Sequence, residues 1–487
     1  MASLWQFLKQ RKKYLNTIKM RRILTIVILV FCVFFAYAQS QTVQPKVDER
    51  TELLSIIFRL AGAREYVNNN IPSYAKEIDD YFAPFKDYDV IKFAQKLRIE
   101  QGVSYDAVMS MAVALEISDS VRLCKNLSPL SIDDRWGMDK VNEFIPLLNK
   151  FYFDTKFKEF FSNHSALYKI AESRFSGIIN DVDFVWFEKF FGKKAKGSFN
   201  LILSLPNGGG NYGLKVILND GTEELYAIMG SCVADSSGQP SYSKKVAETV
   251  IHEYNHSFCN PLIAANFPAM EPASARIYGP VKEILSSQAY ESPKTMEYEN
   301  LVRACVIMYY QRNGVDEDLL KRQVAGELAR GFIWIDKLVD LLSVYEKNRD
   351  KYPTLSDFMP EIIKLESSIS PTKILKEIEA NSPKIVSISI PDKSKEVDPG
   401  ITEITLTFDR PMLFKNGVSY GKQGETCFPE FLDKKSKWNE ETKKQWTFYI
   451  KLEPDKDYSM SFPSQFFYDI NYHPLDKTYY LDFRTRK

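Results

Sequence analysis

Val250-Ile251-His252-Glu253-Tyr254-Asn255-His256 holds two histidines four residues apart, with a glutamate beside the first. On a helix, residues at i and i+4 share a face, so His252 and His256 can turn ring nitrogens toward one metal ion. Glu253 stands next to the first of them and can reach a metal-bound water without binding the metal. Zinc brings the pKa of such a water down toward about 7, and a carboxylate placed there accepts its proton as the water attacks a carbonyl. The spacing therefore predicts His252 and His256 as zinc ligands and Glu253 as general base. The bland alternative is a helix surface carrying two solvated histidines, and a zinc site that has lost its catalysis lies between the two. Ordinary residue frequencies produce the pattern in roughly one chain in a hundred. Only four histidines occur here, at 164, 252, 256 and 473, and two of them fall in the pattern, which weighs against accident. An intact Glu253 weighs against lost catalysis.

A catalytic zinc takes three protein ligands and keeps one position open. No histidine follows His256 until His473, and Cys259 and Leu262 stand where an H-E-x-x-H-x-x-G-x-x-H extension wants glycine and histidine. The third ligand is then a carboxylate, drawn from Glu283, Glu291, Glu297, Glu299, Glu317 and Glu327. Glu299 is preferred. It opens the apolar run Leu301 to Tyr309, 43 residues beyond His256, an arrangement similar to that of the glutamate-ligand zinc peptidases. Arg303, one turn later, is placed to hold the Glu299 carboxylate; an ordinary i,i+4 ion pair is the plainer reading. Transition-state stabilisation usually needs a further donor, and Tyr278, Tyr290 and Tyr298 are all near in sequence. Cys259 reads as core.

The elements that must position these residues are legible as periods. Val246, Val250, Tyr254 and Phe258 recur every four residues, which predicts a helix from about Ser243 to Cys259. Asn260-Pro261 should end it, because proline disfavours helix in the residue before it. Upstream, Phe199 to Leu205 is a strand candidate, and Pro206 to Asn211 a flexible loop. Leu214, Val216 and Leu218 alternate before Asn219-Asp220-Gly221, and Leu225 to Met229 returns as a partner strand. The glycine run is no phosphate loop, since no Gly-Lys-Ser/Thr follows it. One strand of this hairpin, 214–218 or 225–229, could be an edge to which an extended peptide adds; a purely structural hairpin is the alternative. Residues 52–191 and 295–347 read as mostly helical. From Pro383 the period becomes two: Val386, Ile388 and Ile390; Ile404, Leu406 and Phe408; Trp446, Phe448, Ile450 and Leu452; Tyr458, Met460 and Phe462; Tyr479, Leu481 and Phe483. Short strands of this kind predict a β-sandwich.

A chain of 487 residues is too long for one core. With 45% apolar and 26% charged residues it reads as globular. Arg21-Arg22, the apolar run Ile23 to Phe35 and Ala36-Tyr37-Ala38 together form a secretory signal over 1–38. The run is short of the roughly 20 residues a membrane span needs. The expected location is therefore the periplasm, the cell surface or the medium, with no span after cleavage. The leader holds seven basic and no acidic residues, so its removal takes the net charge from +1 to −6. A mildly acidic chain has no electrostatic case for binding nucleic acid or anionic membranes. Cys124, Cys232, Cys259, Cys305 and Cys427 remain, with no C-x-x-C pair; neither a cysteine zinc site nor a disulfide scaffold is signalled, though a bridge or two stays open in an oxidising compartment. Oligomeric state is not readable.

The stretch HEYNHSFCNP from His252 to Pro261, together with Tyr298-Glu299-Asn300-Leu301-Val302-Arg303-Ala304, resembles an uncharacterised family of exported bacterial proteins. That family is described as a domain of unknown function with a zincin-like H-E-x-x-H-S-F-x-N-P helix, and the likeness covers about residues 50–375. It implies zinc bound by His252, His256 and Glu299, with Glu253 as base, and supplies no substrate. Pro383-Lys384-Ile385-Val386 and Thr407-Phe408-Asp409-Arg410-Pro411-Met412 resemble bacterial Ig-like domains, which are usually spacers or adhesion modules. The expected fold is α+β. A signal (1–38) and a linker (39–50) precede a mostly helical zincin-like domain with a small sheet (51–382, in parts 51–195, 196–262 and 263–382); an Ig-like β-sandwich (383–487) follows. The expected function is a secreted zinc metallopeptidase acting on a protein or peptide. A catalytically inactive zincin-like binding or adhesion protein and a zinc hydrolase of a non-peptide amide are the alternatives.

Overall fold

The computed structural model describes residues 43–193 and 197–487; the signal segment read at 1–38 lies outside them. The described chain divides into two compact units, one of 43–189 with 197–253, the other of 190–193 with 254–487.

The first unit is built on one buried helix and a four-stranded sheet. Asp48 caps the helix Glu49–Leu60 by accepting from the Arg50 amide at 2.9 Å, and Glu49 sits where the helix dipole favours a negative charge. Every residue from Thr51 to Arg59 is buried, so this helix has no solvent face. It packs against the helix Asp106–Ala114. Ahead of it, Pro45–Val47 (β1) pairs parallel with Phe199–Leu203 (β4). Part of the segment expected to be a linker is thus a sheet strand, and three residues are too few for a period to announce it. Leu115–Ile117 (β2) and Val121–Leu123 (β3) form a small hairpin that was equally illegible in a stretch read as helical. Asn211–Ile217 (β5) and Glu223–Met229 (β6) complete the sheet in the order β1-β4-β6-β5. β1, β4 and β6 run parallel, while β5 is antiparallel and lies at an edge. The turn at Asn219-Asp220-Gly221 forms as expected, with the Leu218 amide donating to Thr222 O at 2.9 Å and Gly221 at φ +80°. The glycine loop is tied down rather than flexible. Asn207 Nδ2 donates to Gly210 O at 2.9 Å, and a Cβ at Gly208 would overlap the Glu65 carbonyl oxygen.

Val233–Ala234 (β7) and Pro240–Ser241 (β8) lead into the helix Val246–Ser286. The expected stop at Asn260-Pro261 does not occur. The helix runs 41 residues and carries Pro261, Pro268, Pro272 and Pro280 inside it. Each proline removes one helical hydrogen bond. Continuous burial at Ile263, Met270, Ala273, Ile277, Val281 and Leu285 sustains the helix beyond each of them, as tertiary packing does when local propensity is poor.

In the second unit this helix is followed by Pro293–Arg312, capped by Ser292 with Pro293 in its first turn. Glu299 therefore sits two turns inside the helix it was expected to open. The segment Met296 to Tyr309 is buried at all but two positions, Tyr298 and Arg303. Helices Glu317–Ala329, Ile335–Lys347, Leu355–Ser368 and Pro371–Asn381 complete the helical part.

Two antiparallel sheets close the chain. Ile385–Ile388 (β9), Glu403–Phe408 (β10), Glu430–Phe431 (β12) and Gln445–Lys451 (β14) are ordered β12-β14-β10-β9, with Lys437–Trp438 (β13) also on β14. Ser419–Tyr420 (β11), Asp457–Phe462 (β15) and Tyr479–Arg484 (β16) form the other sheet. Both contribute to one core, Ile404, Leu406, Phe408, Trp446, Phe448 and Ile450 meeting Tyr458, Met460, Phe462, Leu481 and Phe483. The period-two reading holds for these strands and misses in β9. There Val386 is exposed and Ile385 buried, because the register shifts between Thr407 and Phe408. Among the described residues, no helix is long and apolar enough to cross a membrane.

Candidate metal centre

The long helix presents His252 and His256 one turn apart, both half-buried, with Glu253 and Asn255 buried between them. The helix Pro293–Arg312 presents Glu299, 7% exposed. One ligand atom from each of His252, His256 and Glu299 lies within 4.8 Å of the other two. His256 Nε2 stands 3.4 Å from Glu299 Oε1. Two ligands of a tetrahedral zinc, bonded at 2.0–2.1 Å, stand about 3.3 Å apart, so this pair already has the spacing such an ion imposes. Two imidazole nitrogens and a carboxylate are also a donor set that zinc accepts.

In His256 and Glu299 the atoms facing away from the cluster are occupied. His256 Nδ1 lies 3.1 Å from Asn260 Oδ1. With the ring proton donated there, the Nε2 lone pair faces Glu299. Glu299 Oε2 accepts from Arg303 Nη2 at 2.9 Å, which leaves Oε1 for the cluster. Arg303 is in turn held on several sides. Its Nη1 donates to Glu327 Oε2 at 2.9 Å and its Nη2 to the Tyr290 hydroxyl at 2.8 Å, while the Phe332 ring lies 4.8 Å from the guanidinium carbon. Burial works against the Arg303 charge, but Glu327, Glu299 and Tyr290 outweigh it and hold its pKa above the usual value. Burial and the Glu299 carboxylate push the Tyr290 phenol up to about 12.

The predicted ligands His252, His256 and Glu299 are brought together, and Arg303 touches Glu299 as expected. The other carboxylate candidates go elsewhere. Glu327 answers Arg303 and Arg330. Glu317 pairs with Lys321 at the surface, and Glu283 and Glu291 are exposed. Glu297 is buried against Glu366, which accepts from Ser274 at 2.5 Å. Of the three tyrosines, Tyr290 joins the Arg303 network; Tyr278 donates to the Tyr290 carbonyl at 3.1 Å, and Tyr298 lies beside Lys294. Sequence reasoning missed Asn260. It is four residues past His256 and so on the same helical face, a signal hidden by reading Asn260-Pro261 as the end of the helix. Gly213 was missed as well. A Cβ there would overlap the carbonyl oxygen of Glu253, so only glycine lets β5 lie this close to the helix.

A family model described as Domain of unknown function (DUF4932) matches residues 43–365. No curated protein matches the sequence. Among solved structures, the chain is similar to the crystal structure of CopC from Methylosinus trichosporium OB3b at 13% identity and a TM-score of 0.18, over 21% of this chain and 93% of that one. A likeness of that extent carries no argument.

Proposed function

The chain belongs to the family of Domain of unknown function (DUF4932), whose description names no activity, and we propose from its site that it is an exported zinc-dependent hydrolase acting on peptide bonds. The observation that carries this reading is the convergence of His252, His256 and Glu299 to within 4.8 Å around the helix that also bears Glu253. A zinc ion held there would supply Lewis-acid activation of water for attack on a carbonyl. Glu253 then takes the proton of the attacking water and returns it to the leaving amine. Arg303 and Asn260, bonded to Glu299 and His256, would keep those two side chains oriented to hold such an ion. The edge strand β5, seated against the helix at Gly213 and Glu253 and bonded at its Ile217 end to Ser128 and Ser131, is the strand beside which an extended substrate would add. A zincin-like domain followed by an Ig-like sandwich is the architecture this reading assigns.

The test is a pair of measurements on the full chain. Metal analysis of protein purified without chelator should find about one zinc per chain, lost when His252 or His256 is replaced. A library of quenched peptides should then be cut by the zinc-loaded protein. Glu253→Gln should keep its zinc and lose activity by at least about a hundredfold. Undiminished cutting by Glu253→Gln would overturn the assignment of the base, and the absence of zinc from the wild-type protein would overturn the site.

A further inference from the structure

Two buried thiols meet just beyond the ligand cluster. Cys259 lies three residues past His256 on the long helix, and Cys305 six residues past Glu299 on the next. Both are 0% exposed, both are free thiols, and their sulfurs stand 3.7 Å apart. A disulfide needs about 2.05 Å, so closure asks each sulfur to move by only about 0.8 Å. Cys124, Cys232 and Cys427, the other cysteines among the described residues, have no second sulfur within reach. Burial and the neighbouring sulfur push the Cys259 thiol well above its ordinary pKa, so Cys259 is a poor nucleophile once packed. A bond between these sulfurs has to be made before the two helices finish closing.

We propose that Cys259 and Cys305 are a disulfide site that joins the helices presenting His256 and Glu299, formed as the chain folds in contact with a disulfide donor. One cysteine attacks the donor's disulfide and releases the first donor thiol. The second cysteine then displaces the other donor sulfur, forming the Cys259–Cys305 bond. The two cysteine protons end on the two donor thiols, the cysteines are oxidised, and the donor is reduced by two electrons. The bond spans 46 positions of sequence and so removes freedom from the unfolded chain. It also fixes two of the ligand-bearing segments to each other. The proposal goes beyond the hydrolase reading and does not need it, because its readout is the thiols rather than the metal.

The full chain is produced in two ways: by refolding in a buffer of reduced and oxidised glutathione, and by synthesis in a cell compartment that contains disulfide-donating oxidoreductases. Each product is denatured in excess alkylating agent without reductant, digested and mapped by mass spectrometry. The peptides holding Cys259 and Cys305 should be recovered joined, with the loss of two alkylatable thiols per chain, and reductant should separate them. The bridged protein should also melt at a higher temperature than the same protein folded under reductant. Separate alkylation of Cys259 and Cys305 in the folded product, or their pairing with other cysteines, overturns the proposal.

Discussion

His256 can give a metal one ring nitrogen dependably only if the other nitrogen has a fixed partner. Asn260 Oδ1, 3.1 Å from Nδ1, is that partner, and it lies at the same helical offset from His256 as His256 lies from His252. Asn260→Ala should lower zinc affinity by roughly tenfold with no loss of helix content, read by competition with a chromophoric chelator. Arg303 makes the stronger case. A lysine there keeps the charge but has a single nitrogen to serve Glu299, Glu327 and Tyr290, which the planar guanidinium reaches together. Arg303→Lys should therefore cost about 10- to 100-fold in zinc affinity. Arg303→Met should do more, because it strands two largely buried carboxylates, and a loss of about 3–5 kcal/mol in urea unfolding is expected. If Arg303→Lys bound zinc as tightly as the wild type, the Glu299 contact would be an ion pair of the fold alone.

At the scale of elements, the close seating of β5 on the long helix depends on Gly213. Its φ is not in the left-handed region; the constraint is the Glu253 carbonyl oxygen lying where a Cβ would go. Gly213→Ala should push the strand and the helix apart, lower stability by about 1–3 kcal/mol and depress hydrolysis more than zinc content. Parallel measurements of melting temperature, bound zinc and peptide cleavage check this, and an alanine variant unchanged in all three would show that the seating is loose. The elements also mark where the sequence could be read. The helix through His252 and His256 was legible because Val246, Val250, Tyr254 and Phe258 repeat every four residues over a stretch with no proline. Its continuation past Pro261 was not, because the proline rule is local and the burial of Ile263, Met270 and Ile277 that overrides it depends on distant residues. The β5–β6 turn was legible from Asn219-Asp220-Gly221, whereas β1, at three residues, leaves no pattern. The phase of β9 was hidden in the register shift of its partner strand. Glu299 was singled out by its place before an apolar run, but the reason Glu297 lies outside the cluster, its burial against Glu366, is purely tertiary.

At the scale of the molecule, the chain carries acid into its interior, and this sets how its stability should depend on pH. Glu52 lies on the central helix of the first unit at 0% exposure. Its Oε2 meets the Tyr74 hydroxyl at 2.6 Å and its Oε1 accepts from the Leu205 amide at 2.9 Å. Burial outweighs these two hydrogen bonds and pushes the carboxyl up to about 8, against an ordinary 4.5. Below 4.5 the group is neutral in both the folded and the unfolded chain, and its contribution is complete. Between 4.5 and about 8 the unfolded chain gives up the proton while the fold keeps it, so stability falls as pH rises. The loss amounts to at most about 1.4 kcal/mol per pH unit and stops above the folded pKa. That trend is opposite to the one produced by a salt-bridged carboxylate. Glu52→Gln stays neutral throughout and still offers an oxygen to the Leu205 amide. Its urea midpoint should therefore fall less between pH 5 and pH 8 than that of the wild type, and at pH 8 the variant should be the more stable of the two. Parallel slopes for both proteins would mean that the fold holds Glu52 ionised, and that Tyr74 and the Leu205 amide, rather than a retained proton, compensate its burial.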